Sequence, residues 1–154
     1  MELAERITAE FPQAQVTESS FGETVVRIPR EEYKRFCLFS RDGLGFSYPG
    51  DLTGTDRKDY LEVVLHLFKM EANGPRLVVK VEVDRSEPRV ESVTDVWTGV
   101  EYHERETMDM FGIDFEGHPD LRPILLPENW QGGHPLLKDF EDKRPERPRL
   151  VRER

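Results

Sequence analysis

Apolar and polar positions alternate most regularly in two neighbouring stretches. Leu61, Val63, Leu65 and Leu67 alternate with Tyr60, Glu62, Val64 and His66, and Leu77, Val79, Val81 and Val83 alternate with Val78, Lys80 and Glu82. A period of two puts every second side chain on one face, so both stretches are expected to be strands. With Asn73-Gly74-Pro75 between them they read as a β-hairpin with one face in the core. A third strand is expected at Thr24 to Ile28, a β-branched run. Helical spacing appears elsewhere. Leu3, Ile7 and Phe11 recur every four residues before Pro12, and Tyr33, Phe36 and Cys37 follow Pro29, which predicts helices over about 3–11 and 30–39. A third helix is expected over 93–111, frayed at Gly99 and stopped by Gly112. The Gly-rich stretch 43–56 reads as irregular, with a short strand near Asp51 to Thr53.

Six prolines between Pro119 and Pro148 rule out long regular elements beyond the third helix. About a quarter of the chain is therefore expected to be an extended tail, which a neighbouring subunit could order through contacts. The expected fold is a two-layer α+β domain, a mixed β-sheet packed against helices, over residues 1–140, followed by a basic extended tail over 141–154.

Composition adds a charge pattern. The net charge of -9 disfavours nucleic acid and anionic lipid as direct partners. Residues 143–154 carry six basic side chains against two acidic ones, a net +4, which leaves -13 on the remainder. No stretch reaches the roughly 20 apolar residues of a membrane helix, and the first residues lack the basic-then-apolar order of a secretion signal. These features lead to the expectation of a soluble, cytoplasmic chain. The single cysteine, Cys37, excludes an internal disulfide and any cysteine-ligated iron-sulfur cluster or four-cysteine zinc site built by this chain alone. Its place beside Phe36 and Leu38 points to packing.

Candidate chemistry concentrates in the third helix. Trp97, Val100, Glu104, Thr107, Met108 and Phe111 share one face, so Glu104 sits inside an apolar stripe. A carboxylate there must find a cation or take up a proton, and Arg122 is the candidate partner. Glu101, Arg105 and Asp109 are four residues apart, a spacing that can hold the guanidinium between two carboxylates. Such a cluster could lock the tail to the helix, contact a partner or handle protons. His103, His118 and His134 lack paired metal-ligand spacing, and a role at turns, donating hydrogen bonds to carbonyls, suits them better. No nucleophile elbow or phosphate loop is present, Gly43-Leu44-Gly45 being too short a match. Trp130, in the proline-rich segment, is an anchor either for this domain's own core or for a partner's pocket.

Glu104-Arg105-Glu106-Thr107-Met108-Asp109-Met110-Phe111-Gly112-Ile113, then Phe115-Glu116-Gly117-His118-Pro119-Asp120-Leu121-Arg122, then Gly133-His134-Pro135-Leu136 and Lys138-Asp139-Phe140, form a long ordered pattern. It resembles the signature of the 30 kDa subunit of complex I, the NADH-quinone oxidoreductase. The match extends upstream through Ser92-Val93-Thr94 and Asp51 to Asp56. The departures are Met108 in place of an aromatic residue, Pro123 in place of a basic one, Leu137 in place of Arg, and a short C-terminus that points towards an archaeal or otherwise minimal assembly.

The resemblance implies a cofactor-free, non-catalytic subunit of the hydrophilic arm of a proton-translocating membrane oxidoreductase, peripheral on the cytoplasmic side of the membrane. It would brace a large quinone-site subunit beside iron-sulfur subunits, with the clusters and quinone held by those partners and membrane contact only through the complex. Equivalent subunits occur in membrane-bound hydrogenases and in ferredoxin-linked, F420-linked or sulfur-reducing complexes. A stand-alone metal-dependent hydrolase is the distant alternative. The residues expected at interfaces or in structural signature positions are Glu104, Arg105, Glu106, Asp109, Gly112, Gly117, His118, Pro119, Arg122, Trp130, Lys138 and Asp139.

Overall fold

The two alternating stretches pair as predicted. In a computed structural model describing residues 2–71 and 74–144, β4 (Tyr60–Phe68) runs antiparallel to β5 (Arg76–Asp84), from Tyr60 opposite Asp84 to Phe68 opposite Arg76. Asn73, expected in the turn between them, lies outside the described residues. Leu61, Val63, Leu65, Leu67 and their partners Leu77, Val79, Val81 and Val83 form the centre of the core. The opposite face is less open than a half-buried hairpin implies, because Glu62, Val64 and Val78 on it are also buried. Glu62 lies between two cations, Arg27 Nη1 at 2.9 Å and Arg57 Nη2 at 2.8 Å, and its charge is therefore paired where it is enclosed.

Around this pair the sheet is completed by β1 (Gln15–Glu18), β2 (Thr24–Arg27) and β3 (Tyr48–Asp56), in the order β1-β2-β5-β4-β3. Only the contact between β2 and β5 is parallel, which makes the sheet mixed. The edge strand β1 was not expected, and β3 is three times the length read from sequence. Glycine misled that reading. A Cβ on Gly54 would fall 2.5 Å from Phe111 Cδ2, so this glycine makes room for a helix against the strand rather than ending it.

Three helices complete the domain: α1 (Leu3–Glu10), α2 (Tyr33–Asp42) after a 3-10 turn at Arg30–Glu32, and α3 (Glu101–Phe111) after a 3-10 turn at Thr98–Val100. Ile7 and Phe11 are fully buried, and the Phe11 ring meets Phe36 of α2 edge-on at 5.1 Å. The helix expected over 93–111 is shorter. Residues 93–97 turn instead, because the Ser92 hydroxyl accepts the Thr94 N–H at 3.2 Å and the Val93 N–H is committed to a side chain of α3. Two three-residue strands, β6 (Arg89–Glu91) and β7 (Asp114–Glu116), pair in parallel on either side of α3 in sequence. Gly112, at φ +75°, ends α3 in the left-handed conformation as predicted. After Glu116 the described chain contains no further helix or strand. Of the basic arm expected over 141–154, residues 145–154 lie outside the described residues.

Candidate functional site

One flank of α3 and the irregular chain after it form the densest polar arrangement among the described residues. The β6–β7 pairing places Ser92 and Val93 on one side of Glu104 and His118 on the other, because Ser92 N–H donates to Glu116 O at 2.8 Å. Ser92 Oγ donates to Glu104 Oε2 at 2.6 Å and Val93 N–H donates to Oε1 at 2.8 Å. His118 Nε2 lies 4.0 Å from Oε2, and both side chains are fully enclosed. Burial pushes the Glu104 carboxyl up to about 7, although the Ser92 and Val93 hydrogen bonds pull the other way. The expected partner Arg122 is elsewhere. Its guanidinium is largely exposed and pairs with Asp120 at 2.9 Å, so Glu104 is satisfied by a hydroxyl and a backbone N–H instead of a cation.

Arg105 is likewise not held between Glu101 and Asp109. Its Nε donates to Arg122 O at 3.0 Å and its Nη2 to Pro123 O at 3.1 Å. Asp109 Oδ2 accepts the N–H groups of Ile124, Leu125 and Leu126 at 2.9, 2.7 and 3.0 Å. A cation therefore binds two consecutive carbonyls, and an anion one turn along binds the next three amides. Both are charge-assisted bonds between buried side chains and backbone, the stronger class. The alternation matches charge to backbone polarity along five successive residues.

The histidines extend this clamp. His118 Nε2–H donates to Glu101 O at 3.1 Å while its Nδ1 accepts Asp120 N–H at 2.9 Å. His134 Nδ1–H donates to Asp109 O at 2.9 Å, and its ring occupies the space over Gly112, where a Cβ would come within 2.6 Å of it. His103 does the reverse of the expected donation: its Nδ1 accepts the edge-strand N–H of Leu52 at 2.9 Å. Leu136 N–H donates to Met110 O at 3.0 Å, and Lys138 N–H to Asp56 Oδ2 at 2.8 Å. Arg85 bridges Asp56 and Asp139 at 2.5 and 2.9 Å. Burial alone would raise the Asp56 carboxyl, but Arg85 and the N–H groups of Lys138 and Lys58 outweigh it and hold the group at about 2.

Of the remaining signature positions, Gly117 takes a left-handed turn at φ +84°, and Glu106 and Pro119 are exposed. Trp130 is not tucked into the domain's core. It stacks on Phe140 at 6.5 Å, donates from Nε1 to Gly133 O at 2.6 Å, and has the Arg144 guanidinium over its ring at 5.4 Å, so it folds onto the tail itself. Cys37 is buried, and its thiol is pushed up by desolvation. Tyr33, buried beside it, is raised well above its usual value for the same reason, with Cys37 and Glu104 adding to the effect. Among the described residues no group of three or more His, Cys, Asp or Glu could hold a metal ion.

The sequence profile of the family described as "Respiratory-chain NADH dehydrogenase, 30 Kd subunit" matches residues 26–146. The chain belongs to this family. The corresponding NADH-quinone oxidoreductase subunit of Roseiflexus sp. (strain RS-1) is 44% identical over 141 residues, covering 88% of this chain and 80% of the relative. NADH-quinone oxidoreductase subunit 5 of Thermus thermophilus is 38% identical over 81% of this chain and 65% of its own length. An F(420)H(2) dehydrogenase subunit of Methanosarcina mazei is 32% identical over 90% of each chain. Among solved structures, the trypsin-resistant fragment (1-134) of Nqo5 superimposes with a TM-score of 0.66 at 33% identity, covering 77% of this chain and 98% of the fragment. A chain of an archaeal membrane-bound sulfane sulfur reductase superimposes with a TM-score of 0.79 at 26% identity, covering 90% and 84%. The 30 kDa family membership makes this chain a hydrophilic-arm subunit of a complex I-type complex. No helix among the described residues is long and apolar enough to cross a membrane.

Proposed function

We propose that this 30 kDa-family subunit is a cofactor-free brace: it supports electron transfer to quinone by holding a large quinone-site subunit and iron-sulfur subunits in register, and those partners carry the clusters and the quinone. The observation that carries this reading is the clamp on α3. Arg105, Asp109, His118, His134 and Asp56 each commit at least one polar atom to backbone groups of the helix or of residues 120–138, so the signature fixes the shape of a surface segment. In this reading residues 1–140 form the docking body and 141–154 a basic arm, the complex lies on the cytoplasmic side of the membrane, and membrane contact is indirect.

The identities of 44% and 38% to bacterial quinone-reducing relatives stand above the 32% to the archaeal F(420)H(2) relative. They favour the quinone branch and give no support to the archaeal leaning of the sequence reading. The second reading, an equivalent subunit in a sulfur-reducing complex, is supported by the fold match to the sulfane sulfur reductase chain.

The test is to replace Arg105 by Ala in the native host and measure two quantities separately: the amount of assembled complex in the membrane and the turnover per assembled complex. A brace predicts less complex with unchanged turnover. Full assembly with lost turnover contradicts it.

A further inference from the structure

Val26 and Val79 point into the core, so their neighbours Arg27 and Lys80 stand on the opposite face of the sheet. Gln15 on the edge strand β1 pairs with Arg27, and Arg27 pairs with Lys80 across the parallel contact with β5, so three strands present one polar row. With Gln13 from the segment after α1 and Arg30 from the turn after β2, this row lines a cleft of about 200 Å³. Three cations meet there with one carboxylate, Glu82, in a protein of net charge -9.

The neighbouring carboxylates do not use these cations up. Arg27 meets Glu62 at 2.9 Å and Glu82 at 3.0 Å, both through Nη1, which fixes the guanidinium and leaves Nε and Nη2 without a partner among the described residues. Glu62 is itself shared with Arg57 at 2.8 Å. Arg30 reaches Glu31 only at 3.4 Å, long for a charge-assisted bond. Lys80 is half-buried, and its ammonium makes neither an ion pair nor a hydrogen bond among the described residues. A half-enclosed ammonium gives up part of its hydration, and an anion in the cleft restores the loss. Beyond Arg30 and Glu82 the adjoining cleft is acidic, with Glu31, Asp84 and Glu87, so an elongated polyanion is repelled there and a compact one is not.

We infer that this cleft binds a single phosphate group, held by the Lys80 ammonium, the Arg27 and Arg30 guanidinium groups and the side-chain amides of Gln13 and Gln15. Together these groups offer more donors than a carboxylate accepts, and they suit the four oxygens of phosphate. The bound anion ties the edge strand β1 to β2 and β5. The site stands apart from the brace, because none of its residues belongs to the clamp on α3.

The test titrates inorganic phosphate into the isotope-labelled full chain at constant ionic strength, with chloride as the replaced anion. The side-chain amides of Gln13 and Gln15 and the Arg27 Nε–H are followed by NMR, and their shifts are expected to saturate together as one site. Lys80→Gln is expected to weaken binding by about tenfold or more. Lys80→Arg, which keeps the charge, retains most of it and separates loss of the ligand from loss of the fold. Arg76→Gln removes an exposed cation of the same strand outside the cleft and should change binding by less than about twofold. Phosphate should also raise the thermal unfolding midpoint of the wild type and not that of Lys80→Gln. Glycerol phosphate binding as tightly as inorganic phosphate assigns the site to the phosphate group of a larger molecule, and binding of inorganic phosphate alone assigns it to the free anion. Shifts that grow linearly without saturation, or that fall equally in Lys80→Gln and Arg76→Gln, are those of a diffuse counter-ion; they overturn the site and leave the brace reading standing.

Discussion

Replacing Glu104 by Gln should change how stability depends on pH. In the folded protein burial holds this carboxyl at about 7, against about 4.5 when exposed. Between those values the folded state binds a proton that the unfolded state has released. Stability from this group is therefore complete below about pH 4.5, declines as pH rises, and is lost above about pH 7. At about 1.4 kcal/mol per unit the full loss is about 3 kcal/mol. The other titratable groups whose fields reach it, Tyr33, Cys37, Lys34, Asp95 and His118, remain in the variant. Glutamine keeps an acceptor for Val93 N–H and a donor for Ser92 Oγ but cannot ionise. The stability difference, variant minus wild type, should thus move in the variant's favour by about 2 to 3 kcal/mol between pH 5 and pH 8, a relative shift of about 1 M in urea midpoint. Urea titrations followed by tryptophan fluorescence at both pH values measure it. A difference that stays constant across pH would refute the assignment of the raised carboxyl to Glu104.

Glu104→Ala loses the same ionisation, so its difference from the wild type should move with pH as the glutamine variant's does; it also leaves Val93 N–H without its acceptor and opens a cavity, which should cost about 2 to 4 kcal/mol relative to Glu104→Gln at either pH in the same titration. Asp109→Ala removes the acceptor of three amides and should expose residues 120–128 to limited proteolysis, read by mass spectrometry of the fragments, under conditions where the rest of the domain is still folded. Gly112→Ala forces a side chain into a left-handed position occupied above by the His134 ring, and should cost at least about 1 kcal/mol by urea denaturation. Asp56, held at about 2, contributes stability above about pH 3.8 that is lost as pH falls towards 2, so Asp56→Asn should flatten the acid limb of the unfolding curve.

The pairing of β4 with β5, the first two helices and the α3 stop at Gly112 were legible because each is written in local periodicity or a single conformational requirement. The buried position of Glu104 was legible for the same reason, since it interrupts an apolar stripe. Its partners were not. Ser92 and Val93 reach it only through the parallel pairing of β6 with β7, a nonlocal event carried by three residues on each strand. Arg122, a cation in the irregular segment after the helix, was the expected partner, yet a raised carboxyl needs none. Arg105 and Asp109 share a helical spacing that suggested an ion pair. Only the folded tail shows that each is turned to a backbone segment of opposite polarity. The Ser92-x-Thr94 spacing did carry a usable signal, because a hydroxyl that caps its own turn argues against a helix beginning at 93.

The most direct measurement is purification of the tagged chain from its native membranes in mild detergent, with quantitative mass spectrometry of what accompanies it. The account predicts recovery in fixed stoichiometry with a large quinone-site subunit and iron-sulfur subunits. Recovery of the chain alone, as a folded monomer from membranes in which the assembled complex is intact, would contradict it.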